Sequence, residues 1–174
     1  ENFQFRKHSQ MQTIKDLLNG NEIGELRILR TSFCFPPFKD KNNIRYKKEL
    51  GGGALLDAGA YPLKLASIFL GDQLSISDAS LHYEKQEVDI WGNGTLVNEN
   101  LVPLQFSFGF DQHYQCNLEI IGSKGKITTD RIYTAPPNHK VQIHLYKNQT
   151  TEVVEIEPIN AYQAMFKHFY NCIE

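Results

Sequence analysis

Three side chains that could do acid–base chemistry follow a run of glycines in the first half of the sequence. The segment GGGALLDAGAYPLKLASIFLG, residues 51–71, places Asp57, Tyr61 and Lys64 close together. A phenol beside a cation can donate a proton to a developing alkoxide, provided that its pKa is lowered. The alternative is structural: Asp57 caps a helix and Tyr61 bonds a backbone carbonyl. These residues alone favour the structural alternative, because helix caps are far commoner than catalytic sites.

Pro62 limits how a helix can position these groups. If the helix already runs at Asp57, then Asp57, Tyr61 and Lys64 share one face. Proline cannot donate the N–H of an interior helical residue, so Pro62 belongs in a first turn. We therefore expect the helix to begin near Gly59, with Asp57 just before it, near the positive end of the helix dipole. In either case a carboxylate, a phenol and an ammonium gather at one end of a helix.

The glycine run raises the question of a phosphate-binding loop. A dinucleotide-binding loop has the spacing G-x-G-x-x-G between a buried strand and a helix, with an acidic residue about 20 positions later. Gly51, Gly52 and Gly53 lack this spacing, and the residues before them do not read as a buried strand. The favoured interpretation is steric, because glycines let the chain pass closely into a buried helix. The nucleotide loop remains the weaker alternative.

The elements around this segment predict an α+β fold. Apolar residues at helical spacing predict a first helix, with Ser9 as its N-cap and Gly20 as its stop. A strand, GELRILRTSFCF, follows, and the apolar residues after the glycine run predict a second helix that is buried. A closing helix is expected after Asn160 as its N-cap.

Alternating, β-branched stretches fill most of the chain from residue 73 to 157. Turn signals separate them, at NG 93–94, the ENLV that follows, SKG 123–125, PPN 136–138 and KNQ 147–149. This spacing predicts antiparallel strands joined by short hairpins. The expected architecture is one domain with a large, mostly antiparallel, open-faced β-sheet and helices packed on one face.

Composition excludes several classes of protein. The chain has 174 residues, 41% of them hydrophobic, and a net charge of −2, which suits one folded domain without a nucleic-acid-binding patch. Its apolar runs are short and its start has no apolar core, so we expect no membrane span and no signal peptide. Cys34, Cys116 and Cys172 are odd in number and widely spaced, so we expect neither disulfide nor zinc site. The chain is expected to be soluble and cytoplasmic, with no metal.

The same glycine segment resembles the signature of the C-terminal domain of the Gfo/Idh/MocA family of NAD(P)-dependent oxidoreductases. That signature is a glycine run, then D-x-G-x-(H or Y), then an apolar helix that ends in L-G. The opening FQFRKHSQ…GNEIGEL, the stretch LEIIGSKGKI and the closing AYQAMFKHFYNCIE resemble further pieces in the same order. The resemblance therefore spans nearly the whole chain. Within the family, the AYP and FGFDQHYQC segments look most like sugar and nucleotide-sugar ketoreductases.

The resemblance implies a substrate-binding and oligomerisation domain over residues 1–174. A separate Rossmann domain would hold NAD or NADP and supply a catalytic lysine from an E-K-P motif. This chain has neither G-x-G-x-x-G nor E-K-P. We therefore expect the dinucleotide-binding domain to be absent, and these residues alone to bind no nicotinamide and to be inactive. The rival expectation is a stand-alone module that dimerises or binds sugar without catalysis.

Matching the chain to the family pattern, position by position, implies the residues of a substrate site. Tyr61 stands where the family has the proton donor or acceptor, and Asp57 stands at the acidic position before it. Lys64 departs from the usual Asp or Asn, and could contact a nucleotide phosphate or lie on the surface. The remaining expected substrate contacts are Arg6, His8, His113 and Tyr114. His8 could equally be a solvated residue at a helix start.

Two other groups of residues are expected to be structural. Trp91 is interpreted as a sheet-packing aromatic residue rather than a sugar platform, and His82, His139, His144 and His168 lack metal-ligand spacing. The basic loop Arg45–Lys48 is interpreted as a solvated surface, with phosphate contact as the weaker alternative. The partners implied are a sugar or nucleotide sugar and a second copy of the chain, bound through the sheet face.

Overall fold

The computed structural model describes residues 2–174 and has the α+β class that the sequence predicts. One open sheet has the strand order β2-β3-β4-β1-β5-β6-β7-β8. The helices and strands are α1 (Ser9–Asn19), β1 (Leu26–Cys34), α2 (Ala60–Leu70), β2 (Leu74–His82), β3 (Trp91–Asn98), β4 (Pro103–Gly109), β5 (Gln115–Gly122), β6 (Gly125–Thr129), β7 (Val141–Lys147), β8 (Thr150–Ile156) and α3 (Ala161–Asn171). The sheet is mostly antiparallel, and β1 pairs in parallel with β4.

Contacts divide the chain into two compact units. The central unit is Ile28–Cys116, and it holds most of β1 together with α2 and β2–β4. The terminal unit joins the residues up to Arg27 to Asn117–Glu174, and it holds α1, α3 and β6–β8. Each unit has buried apolar side chains. Leu65, Leu104 and Phe108 are buried in the central unit, and Ile14, Ile127 and Ile143 in the terminal unit.

Most predicted turns are confirmed, and one is wrong. The segments 123–125, 136–138 and 147–149 lie at or between strand ends, whereas the NG at 93–94 lies inside β3. Gly92 and Gly94 are there because aromatic rings of β4 cross them. A Cβ at Gly92 would lie 2.6 Å from Phe108 Cζ, and one at Gly94 would lie 2.9 Å from Phe106 Cζ. These glycines are therefore needed for sheet packing and mark no turn.

Trp91 packs on the sheet, as the sequence predicts. It pairs with His82 across β2 and β3, and the two rings stack in parallel with centroids 3.5 Å apart. The indole Nε1–H donates to Glu84 Oε1 at 3.3 Å. The stacked pair agrees with both predictions, that Trp91 packs on the sheet and that His82 is a structural residue.

The second helix is less completely buried than its composition predicts. Leu65 and Ala66 are fully buried, whereas Leu56 and Leu63, seven residues apart, are exposed. The segment Lys48–Leu70 is long enough to span a membrane and contains an 18-residue window with a mean hydropathy of 1.2, and 44% of that window is buried inside the fold. Core helices meet the same test. The segment is also interrupted by a 3₁₀ turn and by left-handed glycines before α2 begins.

Candidate active site

A π-helical turn, Leu55–Gly59, leads directly into α2. The regular α-helix begins at Ala60, which agrees with the expected start near Gly59, but Asp57 lies in the π turn and not before the helical segment. The reason is geometric: Pro62 cannot donate to the carbonyl of Ala58 and its ring would crowd that group in a regular α-helix. A wider π turn accommodates the proline without ending the helix. Single π turns of this kind are rare and often lie at functional sites.

The backbone amides of the glycine run are all satisfied within the chain. Gly51 N–H donates to Lys48 O at 3.1 Å, Gly52 N–H to Lys47 O at 2.9 Å, and Gly53 N–H to Arg45 O at 2.9 Å. A phosphate loop needs such amides free to point at its ligand. The steric interpretation of the glycines is therefore supported, and the nucleotide-loop alternative is not.

Asp89 caps the start of this helical segment, and no local sequence pattern predicts this cap. Its backbone carbonyl accepts from Ala54 N–H at 2.8 Å, and its Oδ2 accepts from Leu55 N–H at 2.6 Å. Asp89 is 9% exposed. Gly53 has φ +122°, and a Cβ there would overlap Asp89 Oδ1. The cap comes from 34 residues along the chain, so local sequence reasoning could not find it.

Arg45 forms an ion pair with Asp57, which the sequence interpretation also missed. Arg45 Nε donates to Asp57 Oδ2 at 2.8 Å, and the two side chains are 36% and 34% exposed. The guanidinium carbon lies 4.9 Å from the centre of the Phe38 ring. The expectation that Arg45 is simply solvated is therefore wrong.

Tyr61 lies in the first turn of α2, next to Pro62, and is half-buried. Its ring packs on Phe33 of β1, with centroids 4.9 Å apart at an interplanar angle of 60°. The side chain is thus held by the core on one side without being sealed inside the protein. A phenol in that environment is fixed in position and remains within reach of a ligand.

The other predicted residues of the central unit lie on α2 and on one loop. Lys64 follows Tyr61 by three residues on α2 and is half-buried. His113 and Tyr114 lie in the connection from β4 to β5, where His113 is exposed and Tyr114 is half-buried. The structure therefore places Asp57, Tyr61 and Lys64 on one helical segment, as in the alternative in which the helix already runs at Asp57.

Arg6 and His8 belong to the terminal unit. Arg6 is exposed on a 3₁₀ turn, Gln4–Lys7. His8 is only 3% exposed, so the alternative of a solvated histidine is wrong. It also replaces Ser9 as the N-cap of α1, because its Nδ1 accepts from Gln10 N–H at 3.2 Å. Burial lowers the pKa of His8 below its ordinary value, and the charge of His139 lowers it further.

A cavity of about 240 Å³ adjoins His8, and apolar residues including Phe5, Tyr133 and Tyr162 line it. The His8 Nε2 atom is buried without a hydrogen-bond partner. Since Nδ1 accepts a hydrogen bond, a neutral His8 carries its proton on Nε2. The imidazole is therefore a helix cap whose remaining N–H is unsatisfied.

Across residues 2–174, no group of three His, Cys, Asp or Glu side chains is placed to hold a metal ion. The three cysteines are free; Cys34 and Cys116 are buried and Cys172 is exposed. Burial raises the pKa of the Cys34 thiol to about 11. A thiol with so high a pKa is a poor nucleophile near neutral pH, so Cys34 is a packing residue.

The chain belongs to the Gfo/Idh/MocA family, which confirms the resemblance. The family model for the GFO/IDH/MocA C-terminal domain matches residues 11–128. A dTDP-3,4-didehydro-2,6-dideoxy-alpha-D-glucose 3-reductase from Actinomadura kijaniata is 37% identical over 153 residues, which are 87% of this chain and 46% of that enzyme. The reductase of the same name from Streptomyces antibioticus is 34% identical over 170 residues, 97% of this chain and 52% of that enzyme.

A solved structure has the same fold. The crystal structure of a 3-ketoreductase from Actinomadura kijaniata, in complex with NADP and TDP-benzene, has a TM-score of 0.93 and 34% identity. The match covers 97% of this chain and 52% of that one. The chain thus spans about half the length of the curated relatives that it matches.

Proposed function

We propose that this chain is the substrate-binding domain of an NADP-dependent reductase that acts on a keto sugar linked to a nucleoside diphosphate. The support is its family membership together with 34–37% identity to dTDP-sugar 3-reductases over most of its length. The observation that carries the proposal is local. A half-buried phenol, Tyr61, follows an ion-paired carboxylate, Asp57, across a π turn at the beginning of a core helix.

Tyr61 is the proposed proton donor in the direction of ketone reduction. The bound nicotinamide supplies the hydride, and the carbonyl oxygen gains negative charge as the hydride arrives. The Tyr61 hydroxyl gives its proton to that oxygen, which is general acid catalysis. Asp57 orients the site or accepts a hydrogen bond from a substrate hydroxyl, because an ionised carboxylate is only an acceptor.

The remaining candidate residues are proposed to recognise the substrate. Lys64 is one turn from Tyr61 and carries a flexible ammonium, which suits a phosphate group. His113 and Tyr114 are on a loop, where binding residues are commonly found. Arg6 and His8 stay in the proposal as substrate contacts on the family resemblance. The burial of His8 favours a structural role for that residue over a direct contact.

The residues of this chain do not fit a dinucleotide phosphate site at the glycine run, because the amides of residues 51–55 are already bonded. We therefore propose that the cofactor is held by a separate dinucleotide-binding domain of the enzyme. The isolated chain is proposed to be inactive. We also propose a cytoplasmic homo-oligomer that associates through the sheet, where Ile76 of β2 and Val153 of β8 are exposed apolar residues.

The proposed function is tested by NADPH consumption. The protein as its gene encodes it is mixed with NADPH and a TDP-linked 3-keto sugar, and absorbance at the nicotinamide band is followed. We expect turnover in the wild type and a loss of about 100-fold in kcat for Tyr61→Phe, within the range that general acid catalysis contributes. Tyr83→Phe removes the hydroxyl of an exposed tyrosine and is the matched control. A folded wild type that binds NADPH but reduces no nucleotide-linked keto sugar would refute the proposal.

A further inference from the structure

Arg45 is tied to the glycine run through its backbone. It lies in a 3₁₀ turn, Ile44–Tyr46, whose N-cap Asn43 accepts the Arg45 N–H at 3.1 Å. The Arg45 carbonyl accepts from Gly53 N–H at 2.9 Å. A Cβ at Gly52 would lie 2.6 Å from that same carbonyl oxygen. The glycines therefore let the backbone of Arg45 approach the entry to the π turn.

Two contacts hold the Arg45 side chain: an ion pair with a carboxylate, and an aromatic ring that lies against the face of its guanidinium. Nε is bonded to Asp57, and the planar group lies over Phe38. Phe38 is itself held, because its ring packs on Phe110 with centroids 5.4 Å apart and its N–H donates to the Tyr46 hydroxyl at 3.1 Å. A guanidinium stacked on an aromatic ring is orientated as well as charged. This geometry differs from that of a solvated surface arginine.

We infer that Arg45 is a positioning residue that acts through Asp57 on Tyr61. A π turn is an uncommon backbone conformation and needs contacts that hold it. Asp89 holds the first amides of the turn, and Arg45 holds the carboxylate in its middle. Tyr61 follows four residues after Asp57 on the same helical segment, so a displaced turn displaces the phenol. This inference rests on the proposed function, because it assigns Tyr61 the proton transfer.

The alternative that Arg45 binds a substrate phosphate makes a different kinetic prediction. A phosphate contact supplies ground-state binding, so its loss raises KM. A positioning residue fixes the acid relative to the carbonyl, so its loss lowers kcat, and misplacement by about 1 Å can cost about 100-fold. A change in KM would therefore indicate phosphate binding by Arg45, and a change in kcat would indicate positioning.

The kinetic test compares five variants of the protein as its gene encodes it. We expect Arg45→Ala to lower kcat at least tenfold with little change in KM, and Arg45→Lys to recover part of the loss. In a protein that already carries Asp57→Asn, adding Arg45→Ala should lower kcat little further, because the effects of coupled residues are not additive. Arg27→Ala is the matched control. Arg27 also forms a 2.8 Å pair, with Glu25, but those side chains are 58% and 78% exposed.

A second readout does not need turnover. Tyrosine rings labelled with ¹³C are observed by NMR, and Tyr61 is assigned by its absence in Tyr61→Phe. We expect Arg45→Ala and the milder Arg45→Lys to shift the Tyr61 signal, and Arg27→Ala to leave it in place. If the wild type reduces no nucleotide sugar, the proposed function fails. The spectrum still decides whether Arg45 controls the position of the Tyr61 ring. Unchanged Tyr61 signals in both folded variants, or a rise in KM at constant kcat, would overturn the inference.

Discussion

His8 shows how one residue can match a family motif and still have a structural role. Its Nδ1 caps α1 and its ring is buried. The sequence predicted a helix start at this point and offered Ser9 as the cap. Histidine lies outside the usual N-caps, which are Ser, Thr, Asp and Asn, so the sequence pattern does not predict this cap. The unsatisfied Nε2–H could not be foreseen, since it depends on packing between distant segments.

The stability of the fold is expected to decline in mild acid because of His8. Burial and the charge of His139 lower its pKa, so the unfolded chain binds a proton more readily than the folded one. Stability is therefore fully present above the unfolded pKa of about 6.5 and is lost as the pH falls through the folded pKa. Protonation also removes the acceptor that caps α1.

Urea unfolding between pH 5 and 8 measures this effect. We expect the free energy of unfolding of the wild type to fall with acid more steeply than that of His8→Asn, because asparagine caps without titrating. The difference between the two proteins isolates His8 from the other histidines. Parallel profiles for the two proteins would show that His8 does not contribute to the acid sensitivity.

At the scale of elements, local patterns predicted most of the fold. Short-range chemistry predicts the end of α1 at Gly20, the strand β1, the cap Asn160 and the turns at 123–125 and 147–149. The π turn does not, because Asp89 and Arg45 stabilise it from outside the helix. The candidate catalytic pair was visible in the sequence, but its supports were visible only in the fold.

The glycine run allows a test of this element with a built-in control. Gly53→Ala places a side chain on a backbone with φ +122°, a conformation that strains any residue other than glycine. The new Cβ also overlaps Asp89 Oδ1, whose neighbour Oδ2 accepts the hydrogen bond that caps the helix. Gly51 has φ +73° and open space around its would-be Cβ. We expect Gly51→Ala to cost about 1 kcal/mol of stability and Gly53→Ala about 3 kcal/mol.

Thermal and urea unfolding of the two glycine variants provide the comparison. A near-equal loss of stability would mean that Asp89 is not a rigid cap for the helix. Equal losses would also weaken the argument that the glycines are present for close backbone approach.

At the scale of the whole molecule, α3 leaves apolar surface uncovered. Met165 is buried, whereas Tyr162, Phe166, Phe169 and Tyr170 of the helix are exposed, as is Ile173 just after its end. The periodicity of this helix was predicted correctly from the sequence, but periodicity does not show which face will be covered. The same holds for Leu56 and Leu63 on the segment that carries Tyr61.

The proposal that the cofactor binds to a separate domain can be tested on the 174 residues alone. Isothermal titration calorimetry with NADPH is expected to give no binding heat, because the glycine amides that a phosphate loop would use are internally bonded. The full protein should bind NADPH under the same conditions. Saturable binding to the isolated chain would mean that a cofactor site has been missed within it.

The most direct test of the account is the position of the Tyr61 hydroxyl relative to a bound sugar. A crystal structure of the full protein with NADP and a TDP-linked sugar would measure it. We predict that Tyr61 Oη lies about 2.6–3.2 Å from the oxygen on the sugar carbon that faces the nicotinamide, the range required for proton transfer. A sugar bound elsewhere, with Tyr61 Oη turned away from it or covered by protein, would contradict the account.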